Sequence, residues 1–362
     1  MLFRSLKSRR ICVLDAGYFQ GGASGRNGTM IRGGFVSDAW TALFALAERR
    51  WIGLSRRLEH NVMYSRRGYL MIAERDATAG CLDEALRTHA AHGVRSKRIG
   101  QRELKRIAPA LDTARVADAL YFSDSGVSPH HATMHGYLNA CRRRGVVVHY
   151  GTRVTAIDAH DDRVTGVRVG EHSIAADAVV IAAGADSPAM SALAGVTMPG
   201  YPMRIECMAL EPTRVLMRPA IALLDRLCYV SQTARGELVG GAEVPERPQV
   251  TLASDLPSLL ATARVYADLL PVTASLRILR QWAGLIHATP DFGPLVGPHP
   301  DLRDLWITAG WSYGYAASAA AGELLARTLH ENRVDPILAP FAVDRFSRGK
   351  PVQEGGIVLA PT

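Results

Sequence analysis

The stretch that most constrains this chain runs from Arg10 to Gly34, where a short apolar segment leads into a loop rich in glycine. Ile11 to Leu14 form a continuous apolar run that predicts one buried strand, and Asp15 follows it directly. In dinucleotide-binding folds, an acid at the carboxyl end of the second strand accepts hydrogen bonds from both hydroxyls of the adenosine ribose. We therefore expect Asp15 to bind the ribose of a dinucleotide.

The loop after Asp15 has the composition of a ligand-binding loop. Its glycines let backbone N–H groups come close to a ligand, and its arginines supply positive charge. An ordinary glycine-rich surface turn is the alternative interpretation. The candidate ligand-binding residues of this loop are Arg26, Asn27, Thr29 and Arg32.

The segments VLDAG and GGASGRNGTMIR resemble the second strand and the flavin-facing loop of the D-amino acid oxidase family of FAD-dependent oxidoreductases. The resemblance extends over almost the whole chain, and the segment ILRQWAGLIHATPDFGPLVG is its strongest single match. It implies an α/β fold, with a Rossmann-like FAD-binding domain and an interleaved substrate domain on an antiparallel sheet. The implied boundaries are 1–62, 123–195 and 290–362 for the FAD-binding domain, and 63–122 and 196–289 for the substrate domain.

Composition and charge favour a globular enzyme with a small anionic ligand. The 362 residues are 48% hydrophobic and 21% charged, which allows two buried cores. The five cysteines show no CxxC spacing, which favours reduced thiols in a cytoplasm. The net charge of +8 comes largely from arginine pairs at apparent helix surfaces, so we expect no nucleic-acid partner. Since no signal peptide or continuous apolar 18-mer is visible, we also expect a soluble, cytoplasmic protein with no membrane partner.

The amino terminus lacks the segment with which a dinucleotide-binding domain usually begins. That segment is a strand, a GxGxxG turn and a helix, whereas residues 1–9 resemble only the end of such a helix. Our hypothesis is that roughly 20 to 30 residues are missing because of a misassigned start codon or a truncated gene model. The loss of that strand would leave its neighbours with apolar edges.

Local patterns predict the other main elements. Apolar residues at spacings of three and four predict helices over 37–60, 76–93, 101–107 and 256–270, and a helix that begins at His130. Alternation predicts strands at 64–73, 151–157 and 163–169, the last two joined by a turn at Asp161 and Asp162.

Two later segments have the pattern of flavin-binding elements. Residues 175–184 read as a wholly buried strand that ends in Gly184, where small residues let the backbone approach a dinucleotide. Residues 305–315 predict a strand, a glycine-rich turn and a helix start, whose N–H groups can stabilise negative charge on a reduced flavin. The candidates in this turn are Gly310, Tyr313, Gly314 and Tyr315. The resemblance adds Val154, whose strand would pass the adenine.

Three residues are candidates for the reaction itself. By the resemblance, Arg32 would orient a substrate carboxylate, and Tyr229 would lie near the flavin and could offer a hydroxyl to the substrate. His287 could act as a base. Structural roles in a strand are the alternative for Tyr229 and His287. Family members that oxidise sarcosine pair the matching arginine with a lysine after the glycine-rich turn. This chain has Ala316 and Ala317 there, which makes sarcosine itself a doubtful substrate.

The three histidines at the start of the helix from His130 allow two interpretations. His131 and His135 lie on one helix face, but no third ligand or acid accompanies them, so we predict no metal. The resemblance implies a possible covalent FMN on His130. A Pro-His pair that simply starts a helix is the alternative.

Together with these patterns, the resemblance implies an FAD-dependent amine or amino-acid oxidase or dehydrogenase. It would oxidise the C–N bond of a small secondary or N-methyl amino acid, sarcosine-like, to an imine by hydride transfer to the flavin. The alternative is a flavin-poor structural or electron-transfer subunit of a hetero-oligomeric amine dehydrogenase. The family members that the chain most resembles belong to hetero-oligomers, which implies partner subunits.

Overall fold

The computed structural model describes residues 10–226, 228–242, 250–352 and 354. The expected helix end over residues 1–9 lies outside the described residues. So do residues 353 and 355–362 of the expected FAD-binding domain, and residues 227 and 243–249 of the expected substrate domain.

The helices of the described residues are distributed along the whole described chain. They are α1 Asp38–Ile52, α2 Leu54–Leu58, α3 Asp76–Ala79, α4 Cys81–Ala91, α5 Gln101–Ile107, α6 His130–Arg142, α7 Ser187–Ala192, α8 Leu256–Leu269 and α9 Gly314–Glu331.

The strands of the described residues form several sheets. They are β1 Cys12–Leu14, β2 Met30–Ile31, β3 Tyr69–Ala73, β4 Ser96–Arg98, β5 Asp118–Phe122, β6 Gly126–Val127, β7 Val147–His149, β8 Ala156–His160, β9 Arg163–Val169, β10 His172–Ala175, β11 Val179–Ile181, β12 Tyr201–Leu210, β13 Ala220–Leu223, β14 Cys228–Gln232, β15 Leu238–Gly241, β16 Ile278–Ala288, β17 Leu295–Pro298 and β18 Leu305–Ala309.

The largest element is an eight-stranded sheet in the order β16-β12-β15-β14-β13-β3-β5-β4. Its neighbours pair antiparallel, except that β13 runs parallel to β3. One face carries an apolar core completed by α8, in which Val265, Tyr266 and Leu269 are buried. Together with the parallel pairs elsewhere in the chain, this sheet confirms the expected α/β class.

A second region contains short parallel sheets. β1 pairs parallel with β7, and β11 pairs parallel with β18, which continues antiparallel into β17. Among the described residues, no strand pairs with the second edge of β1 or of β11. The prediction that both strands are wholly buried is wrong: Val13 is 41% and Val180 43% exposed. In β1 only Leu14 packs into an apolar cluster, which accounts for the exposure of its neighbours.

Several predicted helices exist but are shorter or divided. The helix expected over 37–60 is α1 and α2, which are separated at Gly53, and the helix expected over 76–93 is α3 and α4. The helix over 101–107 and the start at His130 are confirmed. The turn at Asp161 and Asp162 is confirmed too, since both residues have positive φ between β8 and β9.

Two long helices carry the segments on either side of the candidate site. α1 lies beside α9, and the indole Nε1 of Trp51 donates a hydrogen bond to the carbonyl of Ala316 at 2.8 Å. Ala316 and Ala317 are buried, because small side chains allow the two helices to approach closely. Within the described part of the chain, no helix is long and apolar enough to span a bilayer.

Candidate active site

Asp15 stands at the carboxyl ends of the parallel strands β1 and β7. Its backbone N–H donates to His149 at 2.9 Å, and its carbonyl accepts from the N–H of Thr152 at 2.8 Å. The side chain is exposed and accepts one hydrogen bond, from the N–H of Gly17 at 2.8 Å. Val154 follows on the same side and packs into the cluster that Leu14 also joins. This edge therefore has a carboxylate oxygen that no described residue bonds, where a nucleotide would bind in such a sheet.

The loop from Gly17 to Thr29 is held in shape by its own side chains. Asn27 accepts a hydrogen bond from the N–H of Thr29 at 2.8 Å and donates one to the carbonyl of Ser24 at 2.7 Å. Thr29 has a φ of 63°, a conformation that is strained for a β-branched residue. Both polar atoms of the Gln20 side chain are buried without a partner among the described residues. Strain and unpaired amide atoms are features of a loop shaped for a ligand.

Strand β16 holds this loop from the other side. The indole Nε1 of Trp282 donates to the carbonyl of Arg26 at 2.9 Å, and Nη1 of Arg26 donates to the carbonyl of Ala283 at 3.2 Å. The remaining guanidinium bonds of Arg26 go to Gly21 and Tyr18. All these partners are neutral, so the positive charge of Arg26 is uncompensated among the described residues. The Trp-Ala-Gly motif of β16 thus links the eight-stranded sheet to the glycine-rich loop.

Tyr229 on β14 lies against the same loop. A Cβ atom on Gly28 would come within 2.5 Å of the Tyr229 ring, so only glycine fits at this position. The Tyr229 hydroxyl lies 3.0 Å from Sγ of Cys207 on β12. Burial raises the pKa of Tyr229 far above its ordinary value and that of Cys207 to about 11, so both groups stay protonated at neutral pH.

Arg32 lies just beyond the loop, at the end of β2, and only 4% of the residue is exposed. Its guanidinium carbon is 4.0 Å from the ring centre of Phe35, 5.6 Å from that of Tyr69 and 5.1 Å from that of Tyr313. We call these three rings the aromatic cage. Nη1 of Arg32 donates to the Tyr69 hydroxyl at 3.3 Å. Guanidinium groups stack favourably on aromatic faces, so the cage fixes the plane of the cation.

Two guanidinium nitrogens of Arg32, Nε and Nη2, are buried with no hydrogen-bond partner among the described residues. Within those residues, no carboxylate lies within ion-pair distance of Arg32 either. The pKa of Tyr69 is raised by burial, an effect that the nearby Arg32 charge opposes. A buried cation without an acid partner is costly, and a carboxylate ligand would relieve that cost.

The glycine-rich turn before α9 brings Tyr313 into the cage. Gly310 has a φ of +71°, and a Cβ there would come within 2.6 Å of the Thr289 side chain. A Cβ on Gly314 would come within 2.7 Å of Trp311. Tyr315 turns the other way, and its hydroxyl donates to the carbonyl of Ser128 at 2.8 Å. Of the two predicted tyrosines, Tyr313 thus faces Arg32 and Tyr315 holds the start of α6.

Gly184 lies in a turn next to β16, and His287 lies on β16 itself. Gly184 has a φ of +57° and opens a short turn after β11 that packs against β12 and β16. His287 is buried, and its Nε2 donates to the carbonyl of Pro199 at 3.0 Å. Since successive strand residues alternate between faces, His287 points away from the face that carries Trp282. Burial lowers its pKa below the usual value.

His130 is half-buried at the first turn of α6. Its Nδ1 is buried without a partner among the described residues, and burial lowers its pKa to about 4. Its ring lies 4.5 Å from that of His131, whereas His135 packs edge-on against Phe19 at 4.8 Å. The structure therefore does not bring the three histidines together as one group.

A family model described as DAO, FAD dependent oxidoreductase, matches residues 2–328. The chain belongs to the DAO family. As a member it is an FAD-dependent oxidoreductase, and the family's flavin is the group that the candidate site must be compared with.

Among curated relatives, this DAO family chain is similar to the sarcosine oxidase subunit beta of Rhodobacter capsulatus, with 27% identity over 351 residues. The match covers 96% of this chain and 84% of the relative. Among solved structures, it is similar to an L-proline dehydrogenase from P. horikoshii, with a TM-score of 0.90, 24% identity and coverage of 96% and 94% of the two chains. A glycine oxidase from Geobacillus kaustophilus follows with a TM-score of 0.85, 21% identity and coverage of 95% and 94%. The two structures show a shared fold.

The described residues fit a flavin dinucleotide at several points. Asp15 keeps one carboxylate oxygen free at the edge of β1 and β7, and the Gln20 amide has no partner among the described residues. The loop that contains Thr29 is held in a strained conformation. These are the features that a bound dinucleotide would use and stabilise.

Sequence reasoning missed several residues of this site. Phe35 and Tyr69 complete the cage around Arg32, while Cys207 and Trp282 contact the glycine-rich loop or its neighbour Tyr229. Trp282 lies in the segment that most strongly resembles the family, but nothing in that segment indicates its contact with Arg26. No local signal marked the other three.

Proposed function

We propose that this DAO family chain oxidises the C–N bond of a small secondary or N-methyl amino acid, sarcosine-like in size, to an imine. The observation that carries the proposal is Arg32, a buried guanidinium with two nitrogens that lack partners among the described residues. A guanidinium binds a carboxylate through two parallel hydrogen bonds, and Nε with Nη2 forms one edge suited to that geometry. An amino-acid substrate supplies the carboxylate.

The names of the relatives support the substrate class. The curated relative is named for sarcosine, and the two structural neighbours are named for proline and glycine. All three are small amino acids, and the first two have a secondary amine. Because this chain has Ala316 and Ala317 after the glycine-rich turn, we propose that Arg32 binds the carboxylate without a lysine.

The cage does three things for such a substrate. Its rings exclude water from Arg32, which strengthens the attraction between guanidinium and carboxylate. The Tyr69 hydroxyl accepts a hydrogen bond from Nη1, so the other edge of the guanidinium stays aimed at the ligand. Oriented binding of this kind lowers the barrier by holding the reacting carbon in place. The imine hydrolyses in water, so the chain need not supply a base for that step.

We propose that FAD binds on the side of the glycine-rich loop. When bound, it supplies the hydride acceptor. The residues that would hold it are Asp15, Arg26, Asn27, Thr29, Val154, Gly184, Gly310, Tyr313, Gly314 and Tyr315. In this proposal, the described parts of residues 1–62, 123–195 and 290–362 belong to the FAD-binding domain, and the Tyr229 ring of the eight-stranded sheet lies against the glycine-rich loop. His287 as a base stays a prediction, and its described contact is structural.

The Arg32 assignment is tested by titrating the purified protein with propionate, a simple carboxylate, and with propionamide as the uncharged control. Arg32→Ala should raise the Kd for propionate by about 10- to 100-fold, the effect of losing one charge-assisted contact. Arg32→Lys keeps the charge but not the planar guanidinium, so its Kd for propionate should lie between those of the wild type and Arg32→Ala. Arg264→Ala, which removes an exposed arginine of α8, is the control. An unchanged Kd in Arg32→Ala would remove this residue from the site.

A covalent FMN on His130 stays a prediction. It is supported by the half-buried imidazole with an unpartnered Nδ1 among the described residues. Flavin that remains with the acid-precipitated polypeptide, and is lost in His130→Ala, would support it. Flavin that separates completely from the wild-type chain would contradict it.

We propose that the chain works in the cytoplasm, with partner subunits. The name of its curated relative, a beta subunit, supports the second point. The described cysteines Cys12, Cys81, Cys141 and Cys207 form no disulfide, in agreement with a reducing compartment. Purification from the native source should give a complex of fixed stoichiometry well above the 39.1 kDa of one chain. A monomer in that preparation would contradict the proposal.

A further inference from the structure

Glu354 brings a carboxylate from the far end of the chain to the start of α1. Only 6% of this residue is exposed. One carboxylate oxygen accepts a hydrogen bond from the N–H of Val36 at 2.5 Å, and the other accepts one from the N–H of Ser37 at 2.8 Å. More than 300 residues separate these partners in sequence, so the contact is entirely tertiary.

This contact fixes the two residues directly before α1. Ser37 is the residue before α1, but its side chain makes no capping hydrogen bond. The first N–H groups of a helix need acceptors, and an anion at that end is stabilised by the helix dipole. Glu354 accepts from the N–H groups of Val36 and Ser37, which precede the first helical residue, and its carboxylate lies at the amino-terminal end of the 15-residue helix.

The segment that Glu354 fixes leads directly into the aromatic cage. Val36 follows Phe35, whose ring lies 4.0 Å from the guanidinium carbon of Arg32. The Phe35 carbonyl accepts a hydrogen bond from Nε2 of the buried His89 at 2.9 Å, and its N–H donates to Thr41 at 3.2 Å. Together with Glu354, these bonds determine where the Phe35 ring sits. The Phe35 ring in turn limits the plane of Arg32.

The chain that delivers Glu354 is itself anchored. The N–H of Val352 donates to Asp291 at 2.7 Å, and Asp291 also receives two hydrogen bonds from the buried Arg345 at 2.8 and 2.6 Å. Asp291 lies in the turn between β16 and β17. The chain two residues before Glu354 is therefore fixed to the turn between β16 and β17.

The carboxylate of Glu354 lies near Arg32 but is not its ion-pair partner. The pKa of Glu354 is raised by burial, while the Arg32 charge acts in the opposite direction, so the two groups are within electrostatic range. Among the described residues they form no ion pair, and Nε and Nη2 of Arg32 have no partner. The guanidinium edge is left available for a ligand.

We propose that Glu354 is a positioning residue for the Arg32 site: by fixing Val36 and Ser37 it holds Phe35, and through Phe35 it orients the guanidinium towards a substrate carboxylate. The inference rests on the proposed function, because it assigns Arg32 to a carboxylate ligand. It adds that the carboxy-terminal part of the chain determines how well that ligand is held.

The test is calorimetric titration of the full chain with propionate, with propionamide as the uncharged control. Removal of a nearby negative charge would by itself tighten propionate binding, since the anion would meet less repulsion. Loss of positioning has the opposite effect. Glu354→Ala should raise the Kd for propionate by about five-fold or more and should leave the binding of propionamide unchanged. Glu354→Gln keeps one acceptor for the N–H groups of Val36 and Ser37, so its Kd should lie above that of the wild type and below that of Glu354→Ala.

Glu171→Gln, at an exposed hairpin, is the matched control and should leave the Kd unchanged. A Kd in Glu354→Ala that is equal to or lower than that of the wild type would overturn the inference. If Glu354→Ala does not fold, Glu354→Gln decides, since a Kd equal to or below the wild-type value in that variant overturns it as well. Weaker binding in Arg32→Ala with no effect in either Glu354 variant would remove only this inference. No effect of Arg32→Ala, or no propionate binding by the wild type, would remove the proposed function and this inference with it.

Discussion

At the scale of single residues, the charge on Arg32 is the main feature. It is enclosed by the rings of Phe35, Tyr69 and Tyr313, and no acid of the described residues lies within ion-pair distance. Burying an unpaired cation costs several kcal/mol, and proteins accept such a cost mainly at functional sites. A substrate carboxylate at Nε and Nη2 would offset it.

Glu48 gives a pH dependence at the same scale. It lies in α1, accepts a hydrogen bond from the Ser125 hydroxyl, and is bonded by the N–H of Gly33 next to Arg32. Burial raises its pKa from 4.5 to about 7. Because the folded state holds the proton more tightly than the unfolded state, its contribution to stability is complete below pH 4.5 and is lost as the pH rises through 7.

We therefore expect the wild-type Tm to fall between pH 5 and pH 8 more steeply than that of Glu48→Gln. The difference in unfolding free energy across this range should approach roughly 3 kcal/mol, since one pKa unit corresponds to about 1.4 kcal/mol. Thermal melts across the pH range measure it, with Glu171→Gln as the exposed control. Parallel Tm profiles for wild type and Glu48→Gln would show that Glu48 ionises normally.

At the scale of elements, the glycine-rich loop and β16 behave as one unit. Trp282 and Ala283 hold Arg26, and the Tyr229 ring fills the space beside Gly28. A methyl group at position 28 must displace either the ring or the loop. Overpacking of this kind costs about 1 to 3 kcal/mol.

Gly28→Ala should therefore lower the flavin content of the purified protein. The loop and the Tyr229 ring cannot both keep their positions when a Cβ stands 2.5 Å from the ring. Gly53→Ala is the matched control, because a Cβ there meets no atom closer than 4.0 Å. The ratio of visible flavin absorbance to protein absorbance gives the answer. Equal ratios in the two variants would show that this loop does not hold the flavin.

At the scale of the whole molecule, local patterns in the sequence predicted the elements but not their meeting points. The strand before Asp15 and the start of α6 at His130 follow from apolar spacing and turn residues, whereas the α/β class follows from the family resemblance. The aromatic cage joins segments near residues 32, 69 and 313, and a sequence pattern has no means to show that distant segments pack together. The same is true of Glu354 and α1. The burial of β1 and β11 was overestimated from the sequence. An apolar run shows which environment a strand prefers and not which residues cover it.

The most direct test of the whole account is anaerobic mixing of the purified protein with small N-methyl and cyclic secondary amino acids, each paired with its amide. We predict that the visible flavin absorbance falls with at least one free acid and not with the corresponding amide, and that Arg32→Ala slows or abolishes the change. A protein that carries flavin but keeps its absorbance with every acid, or loses it equally with the amides, would contradict the account. A colourless protein would contradict it too and would favour a structural subunit.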